Sequence, residues 1–366
     1  MPEASEITQP RPRIRGISAV VCNFNGEGYL EECLDSLVAQ GDQLDEILVV
    51  DNASTDRSLE ILAEKYPDLL VFALAENGGP CVARNLGMRA AKHRFVLAVD
   101  NDAVLEPGCV ARLRSALEAD RGLSVAQPRS VRDDAPEVVH YDGGHFHYVG
   151  LLALTNFYSD RSEAVGEGVV ETDALIGISP LVDKRAVLAV GGYDEDFFYL
   201  AEDYDLALRL RQVGNRLCTV SEAIVRHKGG TAGLSFRGGG YPQRRAYLMS
   251  RNRWILLLKC HRFGTLFASL PGLFVYESVW LVFATLEGHL GVHLRGKWDV
   301  LKGLRSTLAK RHEVQRRRTV DDRELLVGGP LTLSPSLVEK PLARKAAGAI
   351  DAVLRGWWAI ARWFVL

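Results

Sequence analysis

Two carboxylates one residue apart, Asp100 and Asp102, follow directly on the apolar run Phe95–Val99. Side chains so close repel each other unless a cation lies between them. A hard divalent ion such as Mg2+ or Mn2+ takes one or two carboxylates together with diphosphate oxygens. Asp100-Asn101-Asp102 is therefore a candidate ion site, with a solvated turn as the plainer alternative. A second acidic cluster, Glu202-Asp203-Tyr204-Asp205, opens a stretch whose Leu206, Leu210 and Val213 have helical spacing. Carboxylates in a first helical turn are stabilised as anions by the unpaired amides there. Simple N-capping by Glu202 or Asp203 competes with a role as general base. The glycine-hinged, aromatic approach Gly191–Phe198 favours delivery to a site. His227, among glycines after a short apolar run, is either a further ligand of the ion or a surface loop histidine.

The elements that position these groups alternate. Ile17–Val21, Ile47–Val50, Leu70–Ala73 and Phe95–Val99 are predicted strands, short and apolar as fully buried strands are. Leu30, Cys33, Leu34, Leu37 and Val38 predict a helix. Leu59, Leu62 and Tyr66 predict a looser one behind the possible caps Ser54 and Thr55, and two more begin near Pro80 and after Pro107. This is a doubly wound α/β pattern, in which ligands collect at the carboxyl ends of strands. Asn23 and Asn25 stand at the first such end, Asp51 and Asn52 at the second, Asp100 and Asp102 at the fourth.

Asn77-Gly78-Gly79-Pro80 leads into the third helix, whose amides favour an anion and whose Arg84 is placed to reach a nucleotide or its phosphates. The glycines do not form a dinucleotide fingerprint, and Asn25-Gly26-Glu27-Gly28 lacks the Lys-Ser/Thr of a P-loop, so dehydrogenase and NTPase readings lose ground. From Gln127 to Val170 the helical rhythm gives way to antiparallel strands and a loop, where an acceptor could be held. Asp183–Val190, a helix from Glu202 to Val213 and a short strand Arg216–Val220 follow.

A chain of 366 residues, 47% hydrophobic and 25% charged, has room for one large α/β unit and an appendage. Its formal net charge of −2 argues against a nucleic-acid partner held by charge. Six scattered cysteines without paired spacing read as buried thiols in a reducing cytosol. The polar N-terminus lacks the apolar stretch of a signal peptide. Gly264–Leu286 is almost uninterrupted apolar sequence apart from Pro271 and Glu277. Arg295–Arg318 then carries nine Lys/Arg, and the chain closes on Trp357, Trp358, Trp363, Phe364 and Val365. The expectation is an in-plane membrane anchor, a bent pair of short helices at the interface, with a span or a buried core helix as alternatives.

Val-Val-Cys-Asn-Phe-Asn, Val-Val-Asp-Asn-Ala-Ser-Thr-Asp, Asn-Gly-Gly with Ala-Arg-Asn-Leu-Gly, Asp-Asn-Asp, and Gly-Gly-Tyr-Asp-Glu-Asp-Phe-Phe with Glu-Asp-Tyr-Asp-Leu stand in this order between Ile17 and Gly230. The set resembles the family-2 glycosyltransferases, more narrowly their rhamnosyltransferase-like branch. The resemblance implies a GT-A fold, a Rossmann-like nucleotide-binding α/β sheet domain; the C-terminal helical, membrane-associated extension beyond it is expected from composition alone. It also implies an inverting transfer of a sugar from a nucleotide-diphosphate donor. By position, Asp51 resembles the residue that hydrogen-bonds the pyrimidine or ribose, with Phe24 and Arg84 around the base; Asn25 and Asn77, from their places at a strand end and a helix start, are expected in the same donor site. Asp100 and Asp102 resemble the ribose- and metal-binding pair, and Asp203 the general base with Glu202 beside it; His227 is no part of the resemblance and stays a further candidate ligand of the ion. Cys22 departs from the proline or threonine common there.

The implied division is a flexible tail at 1–15, a nucleotide-sugar half at 16–126, an acceptor and catalytic half at 127–235, and a helical membrane-associated region at 236–366. The expected partners are a nucleotide-diphosphate sugar, a lipid-linked or glycan acceptor and the cytoplasmic face of a membrane. A rhamnosyl donor is favoured by the branch alone. Three alternatives remain: a polyprenyl-phosphate acceptor, a nucleotidyltransferase, for which Asn23–Gly28 lacks an arginine, and a non-catalytic sugar-nucleotide binder.

Overall fold

A run of apolar β-branched residues between two turns, repeated four times, is what the first hundred residues offer, and each run becomes a strand. The computed structural model describes residues 14–229, 234 and 240–365. The expected tail, apart from Ile14 and Arg15, and the boundary expected at 235/236 lie outside the described residues. The first half alternates β1 (Ile17–Asn23), α1 (Leu30–Val38), β2 (Glu46–Asp51), α2 (Ser58–Lys65), β3 (Leu70–Ala73), α3 (Pro80–Ala90) and β4 (Phe95–Asp100). It continues through β5 (Ala103–Leu105), α4 (Cys109–Ala119) and β6 (Leu123–Arg132). The irregular middle holds β7 (Val139–Tyr141), β8 (Gly144–His147), β9 (Leu151–Leu154), β10 (Val169–Thr172) and β11 (Leu181–Asp183). There follow α5 (Lys184–Ala189), α6 (Glu202–Gln212) and β12 (Arg216–His227). The C-terminal part is α7 (Gln243–Cys260), α8 (Phe263–Leu286), α9 (Leu290–Lys302), α10 (Leu304–Arg317), α11 (Asp322–Leu325), β13 (Leu326–Val327) and α12 (Pro341–Ala361).

Among the described residues the main sheet runs β10-β12-β6-β11-β4-β1-β2-β3, with β5 on β12 and β7 on β6. The pairs β4-β1-β2-β3 are parallel, and β11 joins both β4 and β6 antiparallel. Side chains alternate between two apolar layers: Val20 and Val96 belong to one, Ala19, Val21, Leu97 and Val99 to the other. Both faces of the sheet are covered, which is why β1, β2 and β4 read as continuous apolar runs. The expectation of full burial fails for β3, whose Leu70 is 46% exposed because the strand is the edge of the sheet. Ser54 and Thr55 do not cap α2, which starts after Arg57, with Asp56 Oδ1 accepting from Ser58 N at 3.0 Å.

β12 is longer than the predicted Arg216–Val220. It absorbs Ser221 and Glu222 in an irregularity between Val220 and Ile224 and continues, pairing with β6 and β5, so His227 ends a strand and is not a loop residue. The expected bent pair of short helices is one continuous 24-residue helix, α8, with Pro271 inside it. Its proline turn is supported from outside: the Trp357 indole donates to the Ala268 carbonyl at 2.9 Å, and Gly272 lies so close to Tyr148 that no side chain would fit. The C-terminal region is also not a separate layer. β13 pairs with β8, and Tyr148 stacks on Trp358 with ring centroids 4.8 Å apart.

Candidate active site

The parallel register brings the strand ends into line. Cys22 is the partner of Asp100 and Asn23 the partner of Asp51, so β1, β2 and β4 release their chains at one height along the crevice. Asn23 is the hub of this edge: its amide nitrogen donates to Asp51 Oδ2 at 2.7 Å, and its oxygen accepts from Asn101 Nδ2 at 2.7 Å. Asp51 is fully buried and both its oxygens are taken by the protein's own donors, Ser54 N at 2.9 Å, Ser54 Oγ at 2.6 Å and Asn23. These bonds make Asp51 the organiser of the loop, and Oδ1, which accepts from Ser54 N alone, keeps a lone pair.

Phe24 is 43% exposed beside this loop. Asn25, at φ 48°, accepts from Thr55 N at 2.8 Å through its side-chain oxygen. Asn77 accepts from Gly79 N at 2.9 Å, and Asn52 accepts from Gly78 N at 3.0 Å, fixing the turn that starts α3.

Arg84 sits differently from the expectation. It is 2% exposed, and its guanidinium turns towards acids and not into open space. Nη2 bonds Asp100 Oδ1 at 2.7 Å and the Gly177 carbonyl at 3.2 Å, while Nη1 lies 3.3 Å from Asp203 and 3.6 Å from Glu202. Burial disfavours the charge, but Asp100, Asp203 and Glu202 outweigh that and hold the guanidinium firmly protonated. One cation thereby links the acid at the end of β4 with both acids at the start of α6.

Glu202 and Asp203 occupy the first turn of α6, whose N-cap is Ala201 without a side-chain cap bond. Neither acid therefore stands at the N-cap position itself. Burial raises the Asp203 carboxyl above its ordinary value against the pull of Arg84. Burial, then the charge of Asp203, raise Glu202. Burial also raises Asp100 despite Arg84. Gly177 leaves space for the base: a Cβ there would come within 2.3 Å of Asp203 Oδ2. No motif in the sequence marks Gly177.

The loop that delivers these acids is gripped at its front half by Asn85, which donates to the Tyr193 carbonyl and to Glu195 Oε1 at 2.9 Å each and accepts from Tyr193 N at 2.8 Å. Gly192, at φ 72°, permits the approach, since a Cβ would stand 2.6 Å from Asn85 Oδ1.

The expected ion ligands fall into two pairs. Asp100 is bound to Arg84, whereas Asp102 Oδ2 lies 3.2 Å from His227 Nε2. Burial tends to raise the Asp102 carboxyl, but His227 outweighs it and holds the group below its ordinary value. His227 stacks on His140, with ring nitrogens 3.2 Å apart, a neighbour the sequence did not single out. Among the described residues no cluster of three or more His, Cys, Asp or Glu has metal-site geometry. One carboxylate and one imidazole nitrogen fit a divalent ion that takes its remaining ligands from a diphosphate. Beside them Cys22 is inert: burial pushes its thiol up to about 12.

The profile for glycosyl transferase family 2 matches residues 18–165, and that for glycosyl transferase family group 2 matches residues 95–291. Glycosyltransferase GlyA of Streptococcus pneumoniae serotype 4 is 36% identical over 162 residues, 43% of this chain and 22% of that protein. The uncharacterized glycosyltransferase RP339 of Rickettsia prowazekii is 33% identical over 204 residues, 54% of this chain and 59% of that protein. The chain thus spans less than two thirds of these relatives. A solved structure of GalNAc-T7 with UDP, GalNAc and Mn2+ superposes with a TM-score of 0.56 at 15% identity, covering 80% of this chain and 58% of that one, a likeness of fold.

Proposed function

The chain belongs to glycosyl transferase family 2 and has a GT-A fold, and on that premise we propose that it is an inverting, metal-dependent glycosyltransferase acting on a nucleotide-diphosphate sugar. The observation that carries the reading is the Arg84 bridge, which joins the Asp100 side of the crevice, where a diphosphate would depart, to Asp203, where an acceptor would be deprotonated. Asp203 takes the proton of the acceptor hydroxyl as its oxygen attacks the anomeric carbon from the side opposite the diphosphate. Burial and the neighbouring charge of Asp203 raise the Glu202 carboxyl beside it, and Arg84 opposes the rise at both acids. Asp102 and His227 would hold a Mg2+ or Mn2+ ion, whose chemistry there would be to offset charge on the departing diphosphate. Phe24, Asn25 and Asn77 line the nucleotide side. Rhamnose is the first sugar to try.

The same reading sets the enzyme on the cytoplasmic face of a membrane with a lipid-linked or glycan acceptor. Support comes from α8, whose Phe263, Phe267, Leu270 and Phe274 are 63%, 76%, 50% and 74% exposed at spacings of four, three and four residues. Trp298 and Leu301 of α9 and Trp363 and Phe364 after α12 are also exposed, with Arg295, Lys302, Arg305 and Arg362 among them. Glu277 turns inward to Arg253, Lys297 and the Trp254 indole, so the carboxyl that opposed a span need not meet lipid. The basic run is thinner than its sequence implies: Lys297, Lys310, Arg311 and Arg318 are used inside the protein.

The test is to incubate the purified chain with dTDP-, UDP- and GDP-sugars, with Mn2+ or chelator, and with lipid-linked or polysaccharide acceptor. Acceptor-dependent release of nucleoside diphosphate, with an inverted anomeric centre in the product, is expected. Failure of every donor to bind sinks the reading.

A further inference from the structure

The back half of the loop before Glu202 turns through Phe198, Leu200 and Ala201, all non-glycine and all left-handed at φ 61°, 69° and 70°. Such backbone is unfavourable for residues with a Cβ and persists only where its surroundings over-determine it. The determinant comes from outside the loop and from the other end of the sequence. Asn252, on α7 and fully buried, directs one amide nitrogen to three loop carbonyls, those of Phe197 at 2.9 Å, Tyr199 at 2.9 Å and Leu200 at 2.8 Å. Its oxygen accepts from the Arg251 guanidinium at 3.2 Å, which fixes the amide in this orientation. Arg251 also bonds the Asp196 carbonyl, and Lys259 further along α7 pairs with Asp194 and with Asp205 of α6. One face of α7 therefore lines the loop from Asp194 to Leu200.

We propose that Asn252 is a positioning residue of the transfer reaction, holding the left-handed turn that sets Glu202 and Asp203 against Arg84. This rests on the function proposed above for what the acids do, but the grip itself is a property of the chain. A helix that the sequence places in an appendage becomes the rear wall of the active site. Asn252 touches none of the reacting groups. Its removal leaves the Tyr199 and Leu200 carbonyls to find new donors and the Phe197 carbonyl with only Tyr199 N, and the strained backbone relaxes to a right-handed or extended path that moves the acids.

The experiment compares Asn252→Ala and Asn252→Asp with the full-length wild type in three measurements: donor affinity by calorimetry, kcat and donor KM, and amide exchange of residues 194–203. In both variants kcat is expected to fall about 100-fold, the cost of displacing a catalytic group by about 1 Å. Donor KM and affinity should hold, and exchange should accelerate at 197–203. Adding Ala201→Gly to Asn252→Ala should recover about tenfold of the loss, since glycine adopts the left-handed conformation freely. Unchanged kcat and unchanged exchange in both variants would overturn the proposal, as would a loss that appears equally in donor affinity. Should Asn252→Ala fail to fold, the wild type decides, because rapid exchange of 197–201 relative to α7 is incompatible with the grip. A wild type that transfers no sugar overturns the proposed function alone, and the exchange arm still tests Asn252.

Discussion

Nη1 of Arg84 stands 3.3 Å from Oδ1 of Asp203, although the two residues are 119 positions apart and lie on different helices. The contact is made by a side chain that is 2% exposed, so the guanidinium has no solvent to replace a lost partner. It also compensates Asp100 and Glu202.

Arg84→Gln should therefore destabilise the protein by about 3 kcal/mol, the lower end for breaking a buried ion pair, because three carboxylates lose their shared cation. The denaturant midpoint measures it. A variant with wild-type stability would show that solvent reaches these acids.

Asp203→Asn keeps the shape of the side chain and removes the base. Transfer should drop about 10² to 10⁴-fold while donor affinity holds, the usual span for losing general-base catalysis. Near-normal turnover would exclude Asp203 as the proton acceptor.

Burial lifts the Asp203 and Glu202 carboxyls above their ordinary values, with Arg84 acting against the lift at both. A base works ionised, so kcat/KM should rise with pH through the raised value, and the acidic limb should lie above the ordinary carboxylate range. Arg84→Gln removes the cation that favours the anion and should move the limb higher. Stability runs the other way: between the unfolded and the raised folded values the native state holds protons that the unfolded chain has released, so these carboxyls favour folding less as pH increases. A limb at the ordinary carboxylate value in both proteins would contradict the burial argument.

Asp102→Ala and His227→Ala should each abolish the part of donor affinity that depends on Mn2+, leaving the residual seen with chelator. Calorimetry with nucleoside diphosphate, with and without the ion, measures this. Equal affinities in the wild type under both conditions would remove the ion from the mechanism.

Phe267→Asp with Phe274→Asp places two charges on the exposed face of α8, 76% and 74% exposed in the native chain. Flotation with anionic vesicles should be lost while donor binding is kept, because neither residue belongs to the buried core. Retained flotation would place the membrane contact elsewhere.

The strands of the first half were legible from their composition, since a strand covered on both faces must be apolar along its whole length. β1, β2 and β4 appear where Ile17, Ile47 and Phe95 start such runs. The acids and amides at their ends were legible for the same reason, because a polar residue closing a buried strand stands at the sheet's carboxyl edge. What the sequence could not show is which of these groups face one another. Asp51 pairs with Asn23 and Ser54, Arg84 with the acids Asp100 and Asp203, and His227 reaches Asp102 only because β12 runs on past Ser221 to pair with β5. The run of α8 through Pro271 and the grip of Asn252 on a loop some fifty residues earlier were likewise invisible. Local pattern reports how much of each side chain is covered, whereas pairing of buried polar groups depends on where distant elements pack. Only the folded chain decides that, by leaving each buried donor and acceptor few partners other than those the packing brings within reach.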